Sequence, residues 1–238
     1  MTGPTSTVSG QIHSRLRADI LDGRYAVGEA LPSERRLSEE LASSRHGVRE
    51  ALKRLQQAGL VSISQGGATR VRDWRRHGGL ELLLDLATEG NAPEALQAPR
   101  ATMEMRACIG ADAARRCAER ADAALKAQIV ARAEQLAAVE DLAARNAHYE
   151  VLWDLIVEGA DNIAYRLALT SLIAPQQRIA SVDSHAVAAE LKDVAAIRAL
   201  AHTIARGENA HAQAAGHLER SIQWLRSSTT RSRSSCSC

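Results

Sequence analysis

The chain has 238 residues, of which 45% are hydrophobic and 24% charged, which is typical of a soluble globular protein of one large or two ordinary domains. No apolar run reaches the roughly eighteen residues that a membrane helix needs, so a membrane-spanning protein is excluded. Residues 1–76 carry 13 Lys and Arg against 8 Asp and Glu, whereas residues 77–238 carry 17 against 20. Such a basic N-terminal part on an acidic body is expected when only one part meets phosphates.

The first predicted element is an amphipathic helix over residues 9–21, with Ile12, Leu16 and Ile20 on one face. A loop then leads to Ser33, which marks the start of a second helix. Serine is a preferred helix N-cap, because its hydroxyl accepts a hydrogen bond from a backbone N–H that has no partner inside the helix. Apolar residues recur at helical spacing after Ser33, so the second helix is predicted to follow directly.

A serine pair interrupts the second helix, and Ser44 is placed to cap a third helix from Arg45 to about Ala58. Two helices joined by a tight turn are typical of a helix-turn-helix, in which the N-terminal residues of the second helix enter the major groove of DNA. The early positions Arg45, His46 and Arg49 are therefore predicted to face bases and phosphates. Arginine suits this place because its planar fork matches guanine, or two phosphate oxygens, in a bidentate way.

A hairpin wing is predicted after the third helix. Residues 60–64 and 68–72 alternate apolar and polar side chains, and Gln65, Gly66 and Gly67 lie between them. Glycine allows the backbone to approach a sugar-phosphate edge closely. Gln65, at the tip, is predicted to lie beside a minor groove.

The segment LPSERRLSEELASSRHGVREALKRLQQAGLV, residues 31–61, resembles the winged helix-turn-helix of GntR-family bacterial transcription regulators. The family pattern is a LPSER-L-E-L run followed by SR--VREAL--L---GL. The QGG-T-V wing, the RDW after it and the helical remainder resemble the FadR-like (FCD) subfamily. The resemblance implies an N-terminal winged helix-turn-helix with a small β wing, followed by an all-α antiparallel bundle of about six or seven helices. The predicted DNA-binding residues are the family's contact positions and the two capping serines: Arg35, Arg45, His46, Arg49, Gln65, Gly66, Ser33 and Ser44.

The domain boundaries follow from shifts in composition. A DNA-binding domain is predicted over residues 9–74, a linker over 75–80, and a helical effector-binding and dimerisation domain over 81–226. Residues 227–238 are rich in Ser and Arg and are predicted to be a disordered tail. Beyond residue 100 the pattern predicts helices only, at about 100–119, 122–144, 146–159, 162–180, 187–206 and 208–226.

The helical part resembles the C-terminal domain of the FadR-like regulators, which binds an effector in its centre and forms the dimer. The segment MEMRACIGADAA, residues 103–114, follows the pattern of that domain's first helix. If an anionic effector binds, Arg106 is the predicted partner for its charge, since an arginine fork binds carboxylate or phosphate. The apolar part of the effector site is predicted to be lined by Tyr149, Trp153, His217 and Trp224.

Many members of the subfamily hold a divalent metal with one Asp and three His. Counted back from the turn at Asn162, the Asp and one His position fall on Tyr149 and Trp153, and the His of the penultimate helix falls on Ile197. The remaining His, in the last helix, is matched by His217, so only one of the four ligand positions has the expected residue type. The spacing therefore predicts no metal site, and no cofactor is predicted.

These observations predict a homodimeric regulator that binds a palindromic operator in double-stranded DNA and responds to a small-molecule effector, either an acyl-CoA or a carboxylate. The first ten residues lack the basic start and apolar segment of a signal peptide, so a cytoplasmic location is expected. Two alternatives stay open: a metal-dependent sensor of a small hydroxy- or keto-acid, and a constitutive DNA-binding dimer without effector. An enzyme with catalytic residues is not predicted, because the chain has no Gly-rich phosphate loop and no G-x-S-x-G motif.

Overall fold

The computed structural model describes residues 8–64, 67–89, 93–173 and 183–234. The chain divides into two compact units, with the division between Ala98 and Pro99. The linker predicted at residues 75–80 lies within the first unit, because Leu82, Leu86 and Ala98 are buried with the core of that unit. No described helix is long and apolar enough to cross a membrane.

The first unit consists of short helices and a two-stranded antiparallel sheet. Its elements are α1 (Val8–Leu21), α2 (Glu34–Glu40), α3 (Arg45–Gln57), β1 (Val61–Ser62), β2 (Arg70–Val71), α4 (Trp74–His77) and α5 (Leu82–Glu89). Its core contains apolar side chains that recur at helical spacing on α1, α2 and α3 and continue onto the sheet: Leu16, Leu37, Val48, Leu52, Leu55, Leu60 and Val71. Burial of each large side chain among them contributes about 1.5–3 kcal/mol.

The two helix caps predicted from serine are confirmed. The Ser33 hydroxyl accepts a hydrogen bond from the backbone N–H of Arg36 at 3.3 Å, and the Ser44 hydroxyl accepts one from Gly47 at 3.1 Å. Each bond satisfies one of the N–H groups that a helix start leaves unpaired. The turn between α2 and α3 passes through Ala42, whose φ is 47°. Together these contacts fix where α3 begins.

The wing is short and is attached to the loop that precedes α2. Val61 lies opposite Val71 in the antiparallel pair, and Ala30 forms an additional bridge with Arg70. The Arg70 guanidinium also donates to the carbonyl of Gly28 at 2.9 Å. The strands therefore have a fixed register beside α3.

The second unit is helical throughout its described residues. Its helices are α6 (Pro93–Arg120), which contains the division between the units, α7 (Ala123–Ala137), α8 (Leu142–Gly159), α9 (Ile163–Ile173), α10 (Asp183–Leu191), α11 (Val194–Ala205) and α12 (His211–Ser234). Asp122, Asp141 and Asp193 cap α7, α8 and α11, each carboxylate accepting a backbone N–H three residues on. The largest core cluster joins α6, α7, α8, α11 and α12 through Ala114, Cys117, Ile129, Leu136, Leu152, Ile156, Leu200, Ile204 and Leu218.

Three of the predicted helix boundaries differ from the structure. The helices predicted over residues 122–144 and 146–159 correspond to α7, which ends at Ala137, and α8, which begins at Leu142. The single helix predicted over residues 187–206 is two helices, because Asp193 leaves the helical conformation and caps α11. The tail predicted to be disordered from residue 227 begins as a continuation of α12 to Ser234. The hydroxyls of Ser227 and Ser228 donate to backbone carbonyls three residues earlier, so these serines are compatible with the helix.

Candidate functional site

The N-terminal end of α3 exposes two arginines and one histidine. Val48, Ala51, Leu52 and Leu55 are buried, and this inner face packs α3 onto the first unit. The opposite face, at the N-terminal end of the helix, exposes three residues, Arg45, His46 and Arg49. A helix end with exposed arginines and a positive dipole suits the phosphates and base edges of a DNA groove.

Arg49 is paired with Glu34, the first residue of α2. Its Nη2 lies 2.8 Å and its Nε 3.2 Å from the two carboxylate oxygens, so the contact is bidentate. The hydrogen bond from Arg49 lowers the pKa of Glu34, and the same bond raises the pKa of Arg49. The Arg49 side chain remains 57% exposed. Glu34 therefore holds the guanidinium of Arg49 in a solvent-exposed position near the N-terminal end of α3.

The other predicted DNA-binding residues lie near this face or outside the described residues. Arg35 is exposed on α2 and forms only a loose pair with Glu39, at 3.8 Å. The hydroxyls of Ser33 and Ser44 serve as helix caps. Gln65 and Gly66, at the predicted wing tip, lie outside the residues that the structure describes.

A second cluster of polar groups is buried inside the second unit. The Arg106 guanidinium, from α6, donates two hydrogen bonds to Glu190, on α10, at 2.7 and 2.9 Å. Arg106 is 7% exposed and Glu190 is completely buried. Burial alone would lower the pKa of Arg106, but the adjacent Glu190 carboxylate raises it above its ordinary value. Arg106 is therefore a charged group whose charge is already balanced.

Two further side chains donate to the same carboxylate. The Tyr149 hydroxyl, from α8, donates to Glu190 Oε2 at 2.5 Å, and the Ser221 hydroxyl, from α12, donates to Oε1. Burial and the Glu190 charge raise the pKa of Tyr149 well above its usual value. Four helices thus meet at one buried carboxylate.

His217 extends this network from α12. Its Nε2 lies 2.8 Å from the Tyr149 hydroxyl oxygen. Because the Tyr149 proton is given to Glu190, Nε2 must be the donor, which leaves a lone pair on Nδ1. Nδ1 is buried and has no hydrogen-bond partner among the described residues. Burial lowers the pKa of His217 to about 4, so its ring is neutral at pH 7.

The structure brings together four of the five residues predicted to bind an effector. Trp153 lies edge-on to Tyr149 with ring centroids 6.2 Å apart, and its indole N–H lacks a partner among the described residues. Trp224 is not part of the network and stacks on His185 instead, at 5.9 Å. On α12 it lies seven residues from His217, which places it about 10 Å further along the helix axis.

Sequence reasoning missed Glu190 and Ser221. The signal was present for Glu190, because it stands in the apolar run AVAAEL, and a glutamate on a buried helix face needs a charged partner. Its partner, however, is 84 residues away, and spacing along the chain cannot reveal such a pair. Within the described residues, no three His, Cys, Asp or Glu side chains converge in a way that could hold a metal ion.

The capped helix pair, the exposed arginines of α3 and the short sheet define a winged helix-turn-helix DNA-binding protein with a helical second part. The model of "Bacterial regulatory proteins, gntR family" matches residues 8–71. The chain belongs to this family. It is 36% identical over 202 residues to the HTH-type transcriptional regulator Mce2R of Mycobacterium tuberculosis, which covers 85% of this chain and 84% of Mce2R. An uncharacterized HTH-type transcriptional regulator of Mycobacterium bovis matches equally well.

Two further likenesses are more limited. The fatty acid metabolism regulator protein of Vibrio vulnificus is 37% identical over 86 residues, which is 34% of this chain and 31% of that protein. The structure of Lar from Listeria monocytogenes superposes with a TM-score of 0.50 at 14% identity, over 96% of this chain and 99% of Lar. This second likeness concerns the fold alone. The two mycobacterial relatives are named HTH-type transcriptional regulators, so the chain is a DNA-binding transcription regulator of the same family.

Proposed function

We propose that the protein binds a palindromic operator as a homodimer in the cytoplasm and that a small acidic effector in the second unit changes its affinity for that operator. Residues 9–74 would read the DNA, and residues 81–226 would bind the effector and form the dimer. The observation that carries the proposal is the front of α3, where Arg45, His46 and Arg49 are exposed. The inner face of the same helix is fixed in a core.

The proposed contacts follow from the geometry of α3. A helix inserted into the major groove reads bases with its first exposed side chains, and an arginine fork bound to guanine contributes about 1–3 kcal/mol of discrimination. Arg35, on α2, is exposed near the same face and would contact the backbone. Phosphate contacts of this kind position a protein without reading sequence.

A dimer is proposed because one such module has too few base contacts to select a site in a genome. Two modules separated by one helical turn of DNA double the contact set, and their symmetry requires a palindromic operator. Two-fold closed assemblies are also the commonest arrangement of soluble oligomers. Both considerations support two copies for each operator.

An effector site is proposed at the buried polar network of the second unit. Buried charges and unpaired polar atoms are costly, so their concentration at one place is typical of a functional site. The network contains the predicted residues Arg106, Tyr149 and His217, with Trp153 beside them. An acyl-CoA or an organic acid is the proposed ligand class, and the similarity to a protein named fatty acid metabolism regulator is consistent with it.

The proposal is tested on full-length protein with an operator obtained by selection from random duplexes. Native mass spectrometry of the complex should show two chains for each duplex. Fluorescence anisotropy with the same operator should then show a changed Kd when carboxylic acids or acyl-CoAs of increasing chain length are added. A single chain for each duplex would contradict the dimer, and an unchanged Kd with every compound would favour a constitutive DNA-binding protein.

A further inference from the structure

Glu190 occupies a set of donors that has the composition of a carboxylate receptor. Its two oxygens accept two bonds from Arg106, one from Tyr149 and one from Ser221. A carboxylate has about four acceptor positions, so all of them are used. The donors come from α6, α8 and α12, whereas the carboxylate comes from α10. The receptor and its occupant are therefore on different elements.

We propose that this donor set is the binding site for the carboxylate of the effector, and that Glu190 occupies it as an internal competitor in the effector-free protein. This inference rests on the proposed function only in calling the ligand an effector. The binding of a free carboxylate in place of Glu190 is a property of the site itself and is measured without DNA.

Replacing Glu190 by a free carboxylate preserves the hydrogen bonds and the ion pair whose loss would destabilise this site. Removing one partner of a buried ion pair leaves an unpaired buried charge and is strongly destabilising. An incoming carboxylate keeps Arg106, Tyr149 and Ser221 fully bonded, and the displaced Glu190 regains its hydration. Glu190 also stands at the last turn of a nine-residue helix, Asp183–Leu191. A helix this short is not stable alone, so its end depends on packing and on the Glu190 contact.

The surroundings specify the class of acid. Within about one helical turn of Arg106, Glu190 and Ser221, on α6, α10 and α12, Met103, Ala186, Ile222 and Leu225 form a buried apolar cluster. Among the described residues of this unit, Arg106 is the one buried arginine or lysine. A ligand with a second carboxylate would find no other buried arginine or lysine to pair with it. The site is therefore assigned to a monocarboxylic acid with an aliphatic chain rather than to a di- or tricarboxylate.

Chemical rescue tests the site. Glu190→Ala removes a CH₂–COO⁻ group, which acetate closely matches in shape and charge. The variant should lose on the order of 10 °C in Tm, because Arg106 is left unpaired. Adding acetate should recover at least half of this loss in a concentration-dependent way, whereas the neutral isostere acetamide should recover almost none.

Two control variants identify the donor and exclude general salt effects. The double variant Arg106→Leu with Glu190→Ala lacks the buried cation, so acetate should not raise its Tm. Glu134→Ala removes an exposed glutamate that pairs with Arg198 on the surface, and its Tm should respond to acetate no more than the Tm of the wild type. If Glu190→Ala does not fold, Glu190→Gln provides a weaker competitor of the same size, and a smaller acetate-dependent rise in Tm is expected.

The two proposals fail in distinguishable ways. If acetate stabilises Glu190→Ala or Glu190→Gln no more than acetamide does, the carboxylate site is refuted, whatever the DNA binding shows. If acetate restores Tm while the operator Kd of Glu190→Ala is the same with and without acetate, the carboxylate site is supported. In that case only the regulatory part of the proposed function is contradicted.

Discussion

Arg49 is held by Glu34 before any DNA is present, and a DNA phosphate or base must compete with this carboxylate. Two hydrogen bonds between exposed side chains contribute little to stability, because water screens the charges and competes for the same groups. Their geometric effect is larger, because the fork of Arg49 is restricted to one direction. Glu34 is therefore expected to act as a positioning residue for DNA reading rather than as a stabilising one.

Glu34→Gln should raise the affinity for non-specific DNA several-fold, because a negative charge near the phosphates is removed. It should also reduce the ratio of operator affinity to non-specific affinity by about 5- to 10-fold, since Arg49 is no longer oriented for bidentate contact. Both affinities can be measured by fluorescence anisotropy at a fixed salt concentration.

Glu40→Gln is the matched control, because Glu40 also lies on α2 and pairs with an exposed arginine, Arg36, at 2.7 Å. It removes the same charge without releasing Arg49. We expect the affinity for non-specific DNA to rise while the specificity ratio stays constant. Equal specificity ratios for the two variants would mean that Glu34 acts through its charge alone.

For single residues, the sequence indicates which side chains are candidates for a functional site but not which of them are in contact. Arg106, Tyr149, Trp153 and His217 were selected from helical position and resemblance, and the structure gathers them. Their role with an effector stays a prediction. Glu190 could not be assigned, because the pairing of α10 with α6 depends on how the bundle packs, and periodicity describes only one helix at a time.

Among the elements, the end of α3 is the most constrained. Gly59, which follows this helix, has φ of 75°, and a Cβ atom added to it would lie 2.1 Å from the carbonyl oxygen of His77. A backbone oxygen cannot move aside as a flexible side chain can. Gly59 therefore permits both the left-handed turn and the close approach of the chain after α4.

Gly59→Ala should destabilise the first unit much more than Gly23→Ala. Gly23 has the same φ of 75°, but nothing lies within 4 Å of the position its Cβ would take. The left-handed conformation should cost either variant about 1–2 kcal/mol. Overpacking at Gly59 should add about 1–3 kcal/mol. Calorimetric unfolding of the two variants measures the difference, and equal losses would show that the contact with His77 relaxes without cost.

The elements near the N-terminus were predictable because their signals are local. Serine caps, a glycine after α3 and alternating strand residues each act within a few positions, and the structure contains the corresponding helices and sheet. The helices of the second unit were harder to delimit. Asp193 ends one buried helix and caps the next, and an alanine-rich sequence on both sides gives no periodicity break.

For the whole molecule, the fold class is implied by the resemblance of residues 31–61 to the GntR family, and the helical patterns beyond residue 100 agree with it. The predicted helical part begins at residue 81, after a shift in composition, and Leu82, Leu86 and Ala98 bury their side chains in the core of the first unit. Which core an amphipathic helix joins depends on tertiary packing, and both cores offer apolar surface.

The exposed start of α3 is expected to read the operator sequence, and selection from a random duplex library measures which sequences it reads. The control variant Arg24→Ala removes an exposed arginine that lies outside α3 and pairs with Asp19. Wild-type protein and this variant should enrich the same two-fold symmetric sequence, with half-sites about one helical turn apart. Arg49→Ala should lose the preference at one symmetric pair of positions or enrich nothing. Enrichment of the wild-type sequence by Arg49→Ala, with every position retained, would contradict the assignment of α3 as the reading helix.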